Sequence, residues 1–127
     1  MVVHRMQDSD RSALVMRVRL IRDWERANLP IYGSLAGYQL FLELAAMPPQ
    51  GKKSLKEIYL SMSCAESTTR LLFRNLESDG WLRLPRGQED QRFREFQLTE
   101  KFITRIDEWL MYVEASLDVQ KDTLNAR

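Results

Sequence analysis

Apolar residues recur at helical spacing in five segments of the chain, and two short segments on either side of residue 90 alternate with the period of a β-strand. In chain order the pattern predicts helices over about 10–28, 35–47, 54–62 and 66–79, strands over 81–84 and 93–99, and a last helix over about 100–119. Ser9 or Asp10 is expected to cap the first helix, and Ser34, Ser54 and Thr99 can cap three others. The pattern therefore predicts one mainly α domain over residues 1–127, a helical bundle with a small β-hairpin.

The stretch over residues 54–99 has the element order of a winged helix-turn-helix: short helix, tight turn, second helix, strand, charged hairpin tip, strand. The core-facing stripe of the second helix, at spacings of three and four, consists of Thr69, Leu72, Phe73 and Leu76. Gly80 follows where a helix C-cap favours a residue that tolerates positive φ. In this arrangement the second helix suits the major groove of DNA. The sequence thus predicts a DNA-binding core over 34–99 with flanking helices on both sides.

Three segments of this core resemble the MarR family of bacterial transcription regulators. They are Ser-Thr-Thr-Arg-Leu-Leu-Phe-Arg-Asn-Leu-Glu-Ser-Asp-Gly at 67–80, Glu-Asp-Gln-Arg at 89–92 and Gln-Leu-Thr-Glu-Lys at 97–101. In that family a recognition helix ending in Leu-Glu-x-x-Gly leads into a wing with Asp-x-Arg and then Leu-Thr-Glu. Ala65 stands where the family commonly has a Ser-type N-cap, and Leu71 where a polar, groove-facing residue is common. The resemblance implies a transcription regulator that binds double-stranded DNA.

Four polar residues of the second helix are the candidates for DNA contact. Arg70 and Arg74 lie one turn apart on the predicted outer face, where arginine can bind guanine bidentately or bind phosphate. The alternative is a pair of solvated arginines, with Arg70 paired to Glu66 four residues earlier. Ser67 and Thr68, at the helix start, can contact phosphates or bases, or simply cap the helix.

The charged hairpin tip carries the second group of candidates. Arg86 and Arg92 can reach a minor groove, where a narrow groove concentrates negative potential. Asp90, two residues before Arg92, can orient the guanidinium by a charge-assisted hydrogen bond. The alternative is a charged tip that only keeps a sheet edge soluble.

The flanking helices over about 10–28 and 100–119 carry apolar stripes broader than a small lobe can cover. Such stripes favour packing of the two helices together and against a second subunit. The residues expected at the interface of this homodimer are Trp24, Trp109, Leu110 and Val113. A two-fold axis would place two recognition helices about 34 Å apart, which is one turn of DNA.

Composition narrows the remaining function classes. The formal net charge of +1 is far from the basic excess that by itself indicates nucleic acid. No apolar run approaches the roughly 20 residues of a membrane span, and residues 1–11 are polar, unlike a signal peptide. A single cysteine, Cys64, fits a reducing cytoplasm, and we interpret it as a buried structural residue rather than a redox sensor. A cytoplasmic protein with no membrane partner is expected.

The chain also lacks the residue patterns of common enzymes. Its one histidine, His4, has no cysteine or histidine neighbours at metal-ligand spacing. No catalytic triad, nucleophile motif or phosphate-binding glycine loop is present. We therefore expect no catalysis, no metal and no cofactor.

Five aromatic residues raise the question of a small-molecule effector. Trp24, Tyr32, Tyr38, Trp109 and Tyr112 can line a ligand pocket of the kind that MarR-like regulators often have, although aromatics at helical spacing are more often core. The sequence thus favours a dimeric DNA-binding regulator. The alternative is a winged-helix module that binds protein in a replication, plasmid or phage assembly, because a fold does not dictate its function.

Overall fold

The computed structural model describes residues 5–48, 53–84 and 95–125. Its elements are α1 (Asp8–Asn28), α2 (Leu35–Ala45), β1 (Lys53–Ser54), α3 (Leu55–Ser61), α4 (Glu66–Ser78), β2 (Leu82–Arg83), β3 (Glu95–Leu98) and α5 (Glu100–Asn125). The chain divides into two compact units, residues 1–28 with 108–127 and residues 29–107. The mainly α winged-helix architecture predicted from the apolar pattern is confirmed.

The first helix begins earlier than its predicted cap. The Gln7 carbonyl accepts the backbone N–H of Arg11 at 2.9 Å, and α1 starts at Asp8. The expectation that Ser9 or Asp10 caps this helix is therefore wrong, because both residues lie inside the first turn. Carboxylates in the first turn interact favourably with the positive end of the helix dipole, which explains why the acidic residues belong to the helix.

Two other helices end at residues different from those predicted. α2 stops at Ala45, and the N–H of Met47 bonds the Leu44 carbonyl at 3.2 Å in a tighter final turn. A residue that precedes a proline is disfavoured in the helical region, so the chain before Pro48 leaves the helix early. α5 continues to Asn125 rather than ending near 119. No proline or glycine follows in the sequence to interrupt it.

The other predicted helix caps are confirmed by their hydrogen bonds. The Ser34 hydroxyl accepts the Gly37 N–H at 2.9 Å, and the Ser54 hydroxyl accepts the Glu57 N–H at 3.3 Å. At the start of α5, the Thr99 hydroxyl accepts the Phe102 N–H at 3.4 Å. Each bond satisfies one of the backbone donors that a helix start leaves without an intrahelical partner.

Among the described residues the sheet has three strands, one more than predicted. Its order is β1-β3-β2, and both neighbours run antiparallel to β3. Lys53 pairs with Phe96 in the β1 register, while Leu82 pairs with Leu98 in the β2 register. A strand as short as β1 has too few residues to show a period of two, which is why the apolar pattern missed it.

Aromatic side chains form the centre of the unit over residues 29–107. Phe41, Phe73, Phe96 and Phe102 are almost fully buried. The rings of Phe73 and Phe96 lie edge to face with centroids 5.2 Å apart, which joins α4 to β3. The rings of Phe41 and Phe102 are 5.7 Å apart and join α2 to the start of α5. The same aromatic core therefore packs against the buried face of α4 and against β3.

The unit formed by residues 1–28 and 108–127 contains a buried carboxylate. Glu25 of α1 is 2% exposed. One of its oxygens accepts the indole N–H of Trp109 at 2.9 Å, and the other accepts from Arg22 at 3.1 Å. Trp24 stacks on Tyr112 with ring centroids 5.3 Å apart. Charge-assisted bonds offset the cost of desolvating the carboxylate, and the stacked rings complete the contact between the two helices.

Replacing Trp109 by phenylalanine is expected to destabilise the protein by about 1–3 kcal/mol, since it removes a donor to a buried carboxylate while keeping most of the ring. The measurement is urea unfolding followed by circular dichroism. In a Glu25→Gln background the same change should cost less, because the group left behind is then neutral. Equal costs in both backgrounds would show that lost ring volume, not the hydrogen bond, is responsible.

Candidate nucleic-acid interface

The turn between α3 and α4 is held by a side chain from α2. The Oε1 atom of Gln39 accepts the Ser63 hydroxyl at 2.8 Å and the Ser63 backbone N–H at 3.3 Å. Its Nε2 atom donates to the Ser61 carbonyl at 3.4 Å. Gln39 thus fixes the angle at which the chain enters α4. Sequence reasoning missed this residue, although a polar residue on the apolar helix α2 was a usable signal.

The start of α4 has no side-chain cap. Ala65 occupies the N-cap position, and its carbonyl accepts the backbone N–H groups of Thr68 and Thr69 at 3.0 and 3.2 Å. The Thr69 hydroxyl is fully buried and lies 3.2 Å from the sulfur of Cys64. Cys64 is therefore part of the packing under the turn. It is half-buried, whereas the sequence analysis predicted a buried residue.

The two faces of α4 differ sharply in chemistry. The buried face consists of Thr69, Leu72, Phe73 and Leu76, as the apolar stripe predicted. Ser67, Thr68, Arg70 and Arg74 are all exposed. The Arg70 guanidinium lies 3.3 Å from a Glu66 carboxylate oxygen, and both side chains are 50% exposed. An exposed pair of this kind contributes little stability, so Arg70 can exchange this partner for another anion at small cost.

The end of α4 is fastened to neighbouring elements. Gly80 has φ of 79°, the positive value that the predicted C-cap position requires. The Tyr32 hydroxyl donates to the Asp79 carboxylate at 2.7 Å, and the Lys101 ammonium donates to the Asp79 carbonyl at 2.7 Å. Burial, together with the hydrogen bond and charge of Asp79, raises the pKa of Tyr32. These bonds connect the end of α4 to the segment before α2 and to the first turn of α5.

The wing is described only at its base. β2 and β3 pair so that Arg83 lies opposite Gln97, and both side chains are exposed. The predicted wing contacts Arg86 and Arg92, and the orienting residue Asp90, lie outside the described residues. The antiparallel pairing of β2 and β3 is what the base of a wing requires.

Of the four predicted interface residues, Trp24 lies on α1 and the other three lie on two adjacent stripes of α5. Trp109 is half-buried and contacts Glu25 of α1, which places it on the stripe facing its own protomer. Leu110, Val113 and Leu117 are spaced at three and four, and Leu110 and Leu117 are 49% and 56% exposed. Trp24 likewise contacts Tyr112 of its own chain. The structure therefore separates the four residues that the sequence grouped together.

Metal sites and membrane-spanning helices were both sought among the described residues. Among those residues no group of three or more His, Cys, Asp or Glu side chains is arranged to hold a metal ion. None of the helices there combines the length and apolarity needed to cross a membrane.

Comparison with known proteins finds matches in structure. No protein-family model matches the chain, and no curated protein matches its sequence. A MarR-like transcriptional regulator from Thermotoga maritima, TM0816, aligns with a TM-score of 0.61 at 22% identity, over 94% of this chain and 83% of that one. The transcriptional repressor CouR, bound to a 23-mer DNA duplex, aligns at 0.54 with 18% identity, over 97% and 85%. Staphylococcus aureus MarR in complex with salicylate and kanamycin aligns at 0.56 with 16% identity, over 92% and 77%.

The chain has the MarR-type winged-helix fold. The resemblance found in residues 67–80, 89–92 and 97–101 is thus confirmed for the fold. In this MarR-type fold α3 and α4 form the helix-turn-helix, and β2 and β3 form the base of the wing. The polar outer face of α4 is accordingly the candidate interface for nucleic acid.

Proposed function

We propose that this protein is a homodimeric transcription regulator that binds double-stranded DNA in the cytoplasm and performs no catalysis. The observation that carries the proposal is the outer face of α4, where Ser67, Arg70 and Arg74 are exposed while the opposite face is buried. The fold is shared with CouR, which binds a DNA duplex. A rigid helix with one polar, basic face and a firmly packed back is what insertion into a major groove requires.

Each exposed residue of α4 has a role in this proposal. Arg70 and Arg74 bind guanine edges or phosphates, and Arg70 exchanges its exposed pair with Glu66 for the nucleic acid. Ser67 and Thr68 lie in the first turn, where their hydroxyl groups and the backbone N–H of Ser67 can contact a phosphate at a helix start without a side-chain cap. At the wing, Arg86 and Arg92 contact the adjacent groove, with Asp90 orienting Arg92. Together these residues position the protein on the duplex and read its sequence.

The DNA-binding proposal is tested by titrating labelled duplex from a randomised library and following fluorescence anisotropy. Replacing Arg70 by alanine is expected to cost about 1–3 kcal/mol on a preferred site, if Arg70 reads a base. Replacing Arg92 should weaken binding to all sequences similarly and lower the salt slope by about 1. Arg5→Ala is the matched control, because it removes an exposed arginine that precedes α1 and lies outside the proposed dimer surface.

The outcome also separates the two classes of partner. If the wild type binds no duplex at low salt, DNA recognition is excluded, and a module for binding protein is the alternative to test next. If Arg5→Ala weakens binding as much as Arg70→Ala, the loss reflects total charge rather than a contact on α4.

The dimer is proposed from apolar side chains that the protomer leaves exposed. On α1, Val15, Met16, Val18 and Leu20 are 49–54% exposed. On α5, Leu110 and Leu117 are 49% and 56% exposed, and the half-buried Val113 lies between them. Exposed apolar side chains at this density mark an interaction surface. We propose that the interface centres on Leu110, Val113 and Leu117, with Trp109 and Trp24 supporting it through their contacts with Glu25 and Tyr112. Two linked recognition helices multiply the effective affinity for a two-part site.

A small organic effector completes the proposal. Its support is the likeness to Staphylococcus aureus MarR, which is in complex with salicylate and kanamycin. Salicylate is therefore the first ligand to test. Binding to the folded protein should raise its unfolding temperature with increasing ligand concentration. An unfolding temperature independent of salicylate concentration up to the millimolar range would exclude this ligand.

A further inference from the structure

One leucine lies at the middle of the outer face of α4. Leu71 is 56% exposed, whereas Leu72 and Phe73, which follow it, are buried. At about 100° per residue, Leu71 lies roughly 150° around the helix from the centre of the buried stripe. The side chain therefore points away from the core and contributes little to the packing of this unit.

The neighbours of Leu71 on that face are all polar. Ser67 precedes it by one turn, Arg70 is adjacent, and Arg74 follows at three residues. Among the exposed residues of α4, Leu71 is the sole apolar side chain. Such an arrangement differs from a protein-docking patch, which buries a contiguous group of apolar side chains. A single exposed leucine among polar side chains suits a partner surface that is mostly polar and has one apolar group opposite Leu71.

The major groove of DNA offers such a partner. Base edges there present hydrogen-bond donors and acceptors, and the apolar group among them is the C5-methyl of thymine. We propose that Leu71 contacts the C5-methyl group of one thymine in each half-site. This inference rests on the proposed DNA-binding function and adds a specificity determinant to it. Arg70 and Arg74 read polar groups on either side, and Leu71 distinguishes thymine from unmethylated pyrimidines.

The contact predicts sensitivity to a single methyl group. Deoxyuridine has the hydrogen-bonding groups of thymidine and lacks only the C5-methyl. Replacing the contacted thymine by deoxyuridine should weaken wild-type binding about fourfold per half-site, the effect of exposing one methyl-sized apolar group. Substitution of any thymine that Leu71 does not touch should have a smaller effect.

The experiment uses a duplex selected by the wild-type protein from a randomised library. Each thymine is replaced in turn by deoxyuridine, and affinities are measured for the wild type, Leu71→Ala and Leu60→Ala. Leu60 is 77% exposed and lies on α3, so its replacement removes a similar side chain outside α4. Circular dichroism checks that each variant keeps the wild-type helix content.

The proposal expects one thymine per half-site whose replacement by deoxyuridine lowers the affinity of the wild type and of Leu60→Ala about fourfold. The affinity of Leu71→Ala should not change at that position. It is overturned if no thymine shows sensitivity in the wild type, or if Leu71→Ala remains as sensitive as the wild type. If the wild type binds duplex but its affinity does not depend on any thymine methyl group, the Leu71 contact is refuted and the DNA-binding proposal stands. If the wild type binds no duplex, both the proposed function and the Leu71 contact are refuted.

Discussion

Replacing Gly37 by alanine is expected to destabilise the protein by about 3 kcal/mol or more. A Cβ atom at this position would lie 2.0 Å from the carbonyl oxygen of Ile31 and 2.7 Å from its carbonyl carbon. The Ile31 carbonyl also accepts the backbone N–H of Ser34 at 3.2 Å, which limits its movement. Helix propensity alone predicts the opposite sign, a gain of about 1 kcal/mol for alanine within a helix.

Gly33→Ala is the matched control for Gly37→Ala. Gly33 has φ of 65°, but among the described residues no atom beyond its two chain neighbours lies within 4 Å of where its Cβ would be. Its replacement should cost about 1–2 kcal/mol from backbone strain alone. Urea unfolding of both variants measures how much each lowers the free energy of unfolding, and so compares the steric clash at position 37 with the backbone strain at position 33. Similar costs for the two changes would show that the chain before α2 moves to accept a methyl group at position 37.

Replacing Leu110 by glutamate is expected to convert the proposed dimer into monomers or insoluble protein. Leu110 is 49% exposed in the protomer and belongs to the stripe with Val113 and Leu117. A carboxylate at the centre of an apolar interface would be desolvated without a partner, a loss of about 3–5 kcal/mol. The measurement is sedimentation equilibrium at micromolar concentration, where the monomer has a mass of 15.0 kDa.

Ala115→Glu controls for the added charge. Ala115 is exposed on α5 but lies on the side of the helix away from the Leu110 stripe. This variant should sediment as the wild type does. A wild-type mass near 15.0 kDa would refute the dimer itself. If Ala115→Glu is monomeric as well, the interface is wider than the stripe or lies elsewhere on the helix.

The helix-turn-helix was predictable from sequence because its determinants are local. The spacing of Thr69, Leu72, Phe73 and Leu76 identifies the buried face of α4, and Gly80 identifies its end. Helical period and capping involve residues within one or two turns, so a single sequence displays them directly. The exposed positions of Ser67, Arg70 and Arg74 followed from the same period.

The missed features depend on residues far apart in the chain. β1 exists because it pairs with β3, and Gln39 orients the turn at Ser63, which is 24 residues later. The bond between Glu25 and Trp109 spans 84 residues. No local period encodes such partners, since their contact depends on how the intervening elements pack.

The sequence by itself determined which segments are helical and which face of α4 is buried. Only the tertiary structure decided how the flanking helices use their apolar residues. Trp109 and Leu110 are neighbours on one stripe in the sequence pattern, yet Trp109 bonds Glu25 within its protomer while Leu110 remains exposed. Adjacent residues on a helix differ by about 100° in direction, and the position of the packing partner selects which of them is covered.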